Sequence, residues 1–368
     1  MRKWSVTSLL ILLLALAIST SAFAENYFES LKPDQDINGF TVANVYENAS
    51  GNGMGARFVS AKNGFILDLL QIQSVPQGFF WVNSPIYDDM GEPHACEHLL
   101  LGKGNRGRYV ATLEDMSLGS SSAYTSQFYT CYHFNTTAGE DTFYKLLEAK
   151  LNALVNPDFT DEEIRREVCN IGVTEDPESH ELVLEEKGTV YTEMVSTFEK
   201  YWYHLWHPMD AMTYGAEHPA ARITGGDPDA MRNMVPKDLW DFHKATYHLG
   251  NMGVIVSIPE DIDVNAFLAK ANAILDRIQS RPEPDAVPSM RPLDLPQPNI
   301  SLPYGQTKLA SYPSDNPEDP AYMLFGYPPY LKLDNRDYFM FDLFLTAFAS
   351  GQTAQRQRLG TVRIPVKT

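Results

Sequence analysis

Five consecutive residues in the first third of the chain combine the side chains of a metal site with those of a proton acceptor. They read His94-Ala95-Cys96-Glu97-His98. Residues four apart lie on one face of an α-helix, so both histidines can direct a ring nitrogen at one ion with Glu97 beside them. Two imidazoles and a third ligand leave one tetrahedral position open, as in catalytic zinc sites. The pattern predicts zinc-assisted hydrolysis with Glu97 as general base, and the alternative is a pair of half-buried, hydrogen-bonded histidines.

A third ligand is expected from a second helix. The stretch 185–194, which reads Glu-Glu-Lys-Gly-Thr-Val-Tyr-Thr-Glu-Met, holds two candidates, Glu186 and Glu193. They are seven residues apart and so lie two helical turns apart on one face. One can ligate the metal while the other orients a histidine ring through its second nitrogen. The alternative is an acidic helix face in contact with solvent.

Short strands and helices are interspersed around these residues. Alternating apolar residues predict a three-stranded meander between Gly39 and Gln73 and further strands at 123–125, 128–134 and 252–258. Helical patterns cover 94–101, 141–155, 160–171, 181–198, 238–247, 265–278 and 338–349. Thr160 and Glu163 have the spacing of a capping box. Because the strands are mostly adjacent in sequence, the pattern predicts an α+β fold.

The N-terminus has the pattern of a secretory signal peptide. Arg2 and Lys3 precede an apolar run from Leu9 to Ile18, and small residues ending in Ala24 follow. The run is shorter than the roughly twenty apolar residues of a transmembrane helix, so no stable membrane anchor is predicted. We therefore expect an exported protein, periplasmic or secreted.

Changes in composition divide the rest of the chain. After the signal peptide at 1–24, a first α+β domain is predicted over 25–280. A Pro-rich linker follows at 281–320, and 321–368 is the start of a second, apparently truncated domain.

Charge and cysteine content exclude several classes of protein. A formal net charge of -18 repels nucleic acid, so no nucleic-acid partner is expected, whereas a basic peptide would be attracted. Three cysteines, Cys96, Cys131 and Cys169, cannot all pair within one chain, which excludes a disulfide scaffold. Buried free thiols are the favoured interpretation, and a Cys131–Cys169 bridge is the alternative.

Four stretches together resemble the pitrilysin/insulinase family of inverted zincins, in particular its presequence-protease branch. They are the pentapeptide at 94–98, Ser-Ala-Tyr-Thr at 122–125 with Thr130-Cys131-Tyr132 after it, the acidic stretch at 185–194, and Gly-Gly-Asp-Pro at 225–228 with the His- and Tyr-containing segment up to 248.

The resemblance implies a zinc peptidase built from α/β sandwich domains. It implies Zn²⁺ held by His94, His98 and Glu193, with Glu97 as general base and Glu186 as the carboxylate that orients a ligand. A peptide substrate would pair as an added strand with the edge strand that carries the substrate-contacting residues Ser122, Ala123, Tyr124 and Thr125.

The chain departs from the family pattern in two places. The family often has Asn where this chain has Ser122, and the second half that completes the substrate chamber is absent from the sequence. We therefore expect a zinc metalloendopeptidase that cleaves peptides or unfolded segments. The alternative is a non-catalytic or partner-dependent subunit that needs a complementary C-terminal half or a partner chain.

Overall fold

The structure is a computed structural model, and its described residues fall in several ranges. They are 26–278, 307–314, 316, 318, 322–324 and 333–349. The chain divides into two compact units, Met1–Tyr322 and Met323–Thr368. The predicted signal peptide, most of the predicted linker and the tail after 349 lie outside the described residues.

An eight-stranded sheet forms the frame of the first unit. Its strands are β1 (Asp36–Ile37), β2 (Phe40–Glu47), β3 (Gly53–Ser60), β4 (Ile66–Gln71), β5 (Gln77–Asn83), β6 (Gly119–Thr125), β7 (Tyr129–Thr136) and β10 (Met252–Ile258). The spatial order is β1-β2-β3-β4-β10-β5-β7-β6. Strand β10 runs parallel to β4, and every other pair is antiparallel. The apolar sequence of β10 suits this central place because residues on both of its faces are buried.

The helices of the first unit are α1 (Glu92–Leu100), α2 (Gly104–Met116), α3 (Glu140–Val155), α4 (Asp161–Val168), α5 (Thr189–Phe198), α6 (Tyr201–Tyr214), α7 (Pro228–Met231), α8 (Pro236–Thr246) and α9 (Val264–Arg277). A two-stranded hairpin of β8 (Asn170–Glu175) and β9 (Leu182–Lys187) stands apart from the large sheet. The second unit contains α10 (Asn335–Ala349). Within the described residues, no helix is long and apolar enough to cross a membrane.

The core lies between one face of the sheet and the helices. Phe58, Phe80 and Phe134 point from that face into a cluster with Leu99 of α1 and Phe267 of α9, and all five are fully buried. On the opposite face, side chains such as Phe79 and Trp81 are only half-buried. The fold is therefore α+β in two layers, which confirms the predicted class.

Helix α1 starts at a sharp turn that fixes the position of the histidines. Gly91 has a φ of +84°, and a Cβ added there would lie 2.5 Å from the carbonyl oxygen of Gly225. Pro93 lies in the first turn, where its missing N–H costs nothing. Ala95 and Cys96 are completely buried against the core.

Most of the predicted elements are confirmed, including the capping box in which Thr160 and Glu163 exchange hydrogen bonds at the start of α4. The three cysteines are free thiols, so the alternative of a Cys131–Cys169 bridge is wrong.

The predicted helix over 181–198 is also wrong in its first part. Residues Leu182–Lys187 form strand β9, and helix α5 starts only after Gly188. Gly188 has a φ of +140°, and a Cβ there would collide with the Val168 carbonyl, so the backbone breaks between strand and helix.

Candidate metal centre

Three side chains from two helices converge on one point. His94 and His98 come from α1 and Glu193 from α5, and their ligand atoms lie within 4.8 Å of one another. The two Nε2 atoms are 3.2 Å apart. Oε2 of Glu193 lies 3.4 Å from Nε2 of His98 and 3.8 Å from Nε2 of His94. The structure thus brings together the three residues that the sequence predicted as ligands.

These separations fit one tetrahedral ion. Ligand atoms about 2.0–2.2 Å from a zinc ion lie roughly 3.3–3.6 Å from each other at tetrahedral angles. The His94 and His98 side chains are 11% and 19% exposed, whereas that of Glu193 is 53% exposed. Two nitrogen ligands and one carboxylate are a donor set that zinc accepts, and the centre opens to solvent on the Glu193 side.

Each histidine has a partner for its second nitrogen. Nδ1 of His98 lies 3.3 Å from Oε1 of Glu167, a buried residue of α4. Nδ1 of His94 lies 3.4 Å from the carbonyl oxygen of Gly225. An ionised carboxylate and a carbonyl can only accept, so both Nδ1 atoms donate, and in the neutral form of each ring the Nε2 lone pair faces the centre.

Glu167 is held as an anion. Lys103 donates to its Oε2 at 2.7 Å. Burial by itself raises the pKa of Glu167, but hydrogen bonds from His98, Lys103 and Thr189 outweigh it and lower the pKa to about 2. A permanently charged acceptor therefore fixes the ring of His98.

The two histidines differ in their electrostatic surroundings. The hydrogen bond to Glu167 raises the pKa of His98, against the effect of burial. Burial lowers the pKa of His94, and the neighbouring charge of His98 lowers it further. The lowered pKa favours the neutral form of His94, which is the form that ligates a metal.

Glu97 is buried beside the two histidines. Its side chain belongs to a residue only 6% exposed, and its Oε2 accepts a hydrogen bond of 2.6 Å from Oγ1 of Thr125. The charge of Glu97 acts to raise the pKa of both His94 and His98, so its carboxylate lies near the centre.

The predicted substrate residues lie on β6, which is one edge of the large sheet. Ser122 and Tyr124 are exposed, while Ala123 and Thr125 are half-buried on the side of α1. Among the described residues, β6 pairs only with β7, and a strand edge of this kind can accept a peptide through main-chain hydrogen bonds.

The prediction for Glu186 differs from the structure. Glu186 lies on β9, where Arg232 donates to Oε1 at 2.6 Å and to Oε2 at 2.9 Å, and the Tyr191 hydroxyl also donates to it. These bonds from Arg232 and Tyr191 lower the pKa of Glu186 to about 2. The break at Gly188 removes the helical register that would have placed it on the face of Glu193.

The carboxylate beside the second nitrogen of His98 is that of Glu167, whereas the sequence predicts Glu186 for such a role. The sequence gives one indication that Glu167 is buried. It lies three positions after the apolar Ile164 in a predicted helix, and so on the same helical face. Gly225 belongs to the Gly-Gly-Asp-Pro stretch that carries the family resemblance, but neither Gly225 nor Lys103 was predicted to support the histidines.

Comparison with known proteins relates this region to a peptidase family. The sequence profile of the insulinase family (peptidase family M16) matches residues 88–191. The mitochondrial presequence protease of Saccharomyces cerevisiae is 33% identical over 181 residues, which are 47% of this chain and 17% of that protein. The Kluyveromyces lactis presequence protease is 32% identical over 181 residues, with 47% and 17% covered. This chain therefore spans about a sixth of the length of these relatives.

Two solved structures are similar at lower identity. The crystal structure of pitrilysin has a TM-score of 0.48 and 17% identity, with 67% of this chain and 26% of that chain covered. An M16-like peptidase from Alicyclobacillus acidocaldarius has a TM-score of 0.46 and 17% identity, with 65% and 51% covered.

The relatives correct the predicted location and support the predicted family. The expectation of an exported protein, periplasmic or secreted, is wrong, because the presequence proteases that match are mitochondrial. An apolar run behind two basic residues does not by itself specify a destination, and residues 1–24 lie outside the described part of the chain. The family profile matches the segment from Asp88 to Tyr191, which carries α1 and the start of α5, so this part of the chain is similar to the pitrilysin/insulinase family.

Proposed function

We propose that this chain is a zinc-dependent endopeptidase, with His94, His98 and Glu193 as zinc ligands and Glu97 as general base. The observation that carries the proposal is the convergence of three ligand atoms 3.2–3.8 Å apart next to a buried carboxylate. A structural zinc site would be closed by a fourth protein ligand, and within the described residues this cluster has three.

The residues of the centre have different roles in the proposed hydrolysis of peptides. A zinc ion bound there supplies Lewis acidity, which polarises a carbonyl group and makes water a better nucleophile at neutral pH. Glu97 takes the proton from the attacking water and passes it to the leaving amine. Glu167 and the Gly225 carbonyl hold the two imidazoles in the tautomer that leaves Nε2 free.

The edge strand β6 supports peptides as the substrate class. Main-chain pairing along Ser122–Thr125 depends little on side chains, so many sequences fit. The net charge of -18 favours basic peptides, and the names of the relatives make presequence peptides the first candidates.

A second candidate function is that of a partner-dependent subunit. It is favoured by the 53% exposure of the Glu193 side chain, which leaves one of the three ligands open to a covering surface. We also propose that residues 25–280 are the peptidase domain, that 281–320 are a linker, and that a second, similar domain begins at 321.

Zinc content and cleavage of a quenched fluorescent peptide test the proposal, with wild type compared with Glu97→Gln. We expect one zinc per chain in both proteins and a loss of kcat of about 100- to 10,000-fold in the variant, because Gln cannot accept the proton. Glu186→Gln is the matched control, since that carboxylate lies on β9 with Arg232.

The two candidate functions separate in the same experiment. Zinc in both proteins with cleavage in neither would favour the partner-dependent subunit. Absence of zinc from wild type would contradict the assignment of His94, His98 and Glu193.

A further inference from the structure

A row of hydroxyl groups connects the sheet to Glu97. Oγ1 of Thr125 lies 2.6 Å from Oε2 of Glu97 and 3.5 Å from Oγ1 of Thr130. Thr130 in turn lies 2.8 Å from Oγ of Ser84. Ser84 and Thr130 are completely buried, so the row runs from the interior of the sheet to the candidate base.

The protons in this row have a defined direction at its outer end. An ionised carboxylate can only accept, so the Thr125 hydroxyl donates its one hydrogen to Glu97. A length of 2.6 Å is that of a charge-assisted O–H···O⁻ bond. Thr125 can then only accept from Thr130, and the buried hydroxyls cannot compete with Glu97 for its hydrogen.

The Thr125 hydroxyl is a hydrogen-bond donor to the Glu97 carboxylate at 2.6 Å. Its bond occupies Oε2, which leaves Oε1 for a reacting group. Because the terminal torsion of a glutamate is broad, a carboxylate without this bond would rotate. One threonine at the end of the edge strand thus selects one orientation of the candidate base.

We propose that Thr125 is a positioning residue that orients Glu97 for proton transfer, with Thr130 and Ser84 holding the Thr125 hydroxyl in place. The proposal rests on the proposed function of Glu97 as general base. The sequence-based prediction for Thr125 concerned main-chain pairing with a peptide, and it stands beside this role of the side chain, which is directed at Glu97.

The test compares Thr125→Val with Thr125→Ser in the full chain. Valine has nearly the shape of threonine without its hydroxyl, whereas serine keeps the donor. For a peptide that wild type cleaves, we expect Thr125→Val to lower kcat about 10- to 100-fold with KM unchanged, because the base acts only in the transition state. We expect Thr125→Ser to recover most of kcat and every variant to bind one zinc.

Thr112→Val is the matched control for loss of a threonine hydroxyl. Thr112 lies on the exposed side of α2 and donates to the carbonyl of Arg108 in its own helix. We expect kcat, KM and zinc content to stay at wild-type values in this variant.

Crystal structures of the three metal-free proteins give a readout that does not depend on cleavage. We expect one orientation of the Glu97 carboxylate in wild type and Thr125→Ser, and a rotated or divided carboxylate in Thr125→Val. An unchanged Glu97 in Thr125→Val, or an unchanged kcat, would overturn the proposal for Thr125. A wild type that binds no zinc or cleaves no peptide would contradict the proposed function alone, and the orientation of Glu97 would still decide the role of Thr125.

Discussion

Replacement of Glu167 tests whether the structure identifies the carboxylate that orients a ligand. Glu167→Gln keeps the size of the side chain but removes the charge that pairs with His98 and Lys103. The resemblance to the family assigns this role to Glu186, which in the structure pairs with Arg232. Glu167→Gln and Glu186→Gln are therefore matched variants. The structure predicts weaker zinc binding for the first, and the family resemblance predicts it for the second.

The expected magnitude follows from the contacts of Glu167. Its Oε1 lies 3.3 Å from Nδ1 of His98 and its Oε2 lies 2.7 Å from Nζ of Lys103, and the side chain is 7% exposed. Loss of an outer carboxylate typically weakens metal binding 10- to 100-fold, which is about 1.4–2.7 kcal/mol. We expect the zinc Kd of Glu167→Gln to rise by that factor and the Kd of Glu186→Gln to stay within about twofold of wild type.

Competition with a chromophoric zinc chelator measures these Kd values, and circular dichroism checks that both variants are folded. Since Lys103 loses a charged partner in Glu167→Gln, Lys103→Met is the control for loss of the ion pair alone, and we expect it to affect zinc binding less. A weakened Kd in Glu186→Gln with a wild-type Kd in Glu167→Gln would refute the reasoning.

Two further predictions concern stability. Burial by itself raises the pKa of Glu163, but bonds from Thr160, Arg108 and Gly104 outweigh it and lower the pKa to about 2. The contribution of the Glu163 carboxylate to the free energy of unfolding is therefore complete above the unfolded pKa of about 4.3, and it is lost as pH falls toward 2. We expect Glu163→Ala to lower the free energy of unfolding, measured with urea, by about 1–2 kcal/mol at pH 7 and by less at pH 3. An equal cost at both pH values would contradict this. Lys150 and Glu114 form a pair 2.6 Å apart, with side chains 8% and 11% exposed. We expect Lys150→Met to lower the free energy of unfolding by about 3–5 kcal/mol, because it leaves the Glu114 charge buried without a partner. The double variant Lys150→Met/Glu114→Leu should recover most of that stability. Equal losses of stability in the single and the double variant would show that packing, and not the ion pair, causes the loss.

The fold was predictable where local pattern decides it. Alternation marked the strands of the meander, and the Thr160–Glu163 spacing marked the start of α4. The pattern failed at residues 181–188, where a helical period continued through a segment that forms β9. One glycine with a positive φ ends the strand, and a single sequence does not reveal which glycine takes that conformation.

The placement of β10 between β4 and β5 could not be predicted from the sequence either. Strand β10 is separated from both neighbours by more than 160 residues, yet it pairs with each of them over most of its length. The apolar residues of β10 predicted a buried strand, but pairing partners that distant in the chain are chosen by the packing of the whole core.

The sequence by itself determined what depends on a few neighbouring residues. The spacing of His94 and His98 places both rings on one helical face, and it places Glu97 beside them, because helical geometry is local. Only the tertiary structure decided which distant groups meet that face. The packing of α5 brings Glu193 to the histidines, α4 supplies Glu167 in place of Glu186, and β6 aims Thr125 at Glu97. Such contacts join residues far apart in the chain, and their partners are fixed by how helices and sheet fill one core and not by spacing along the sequence.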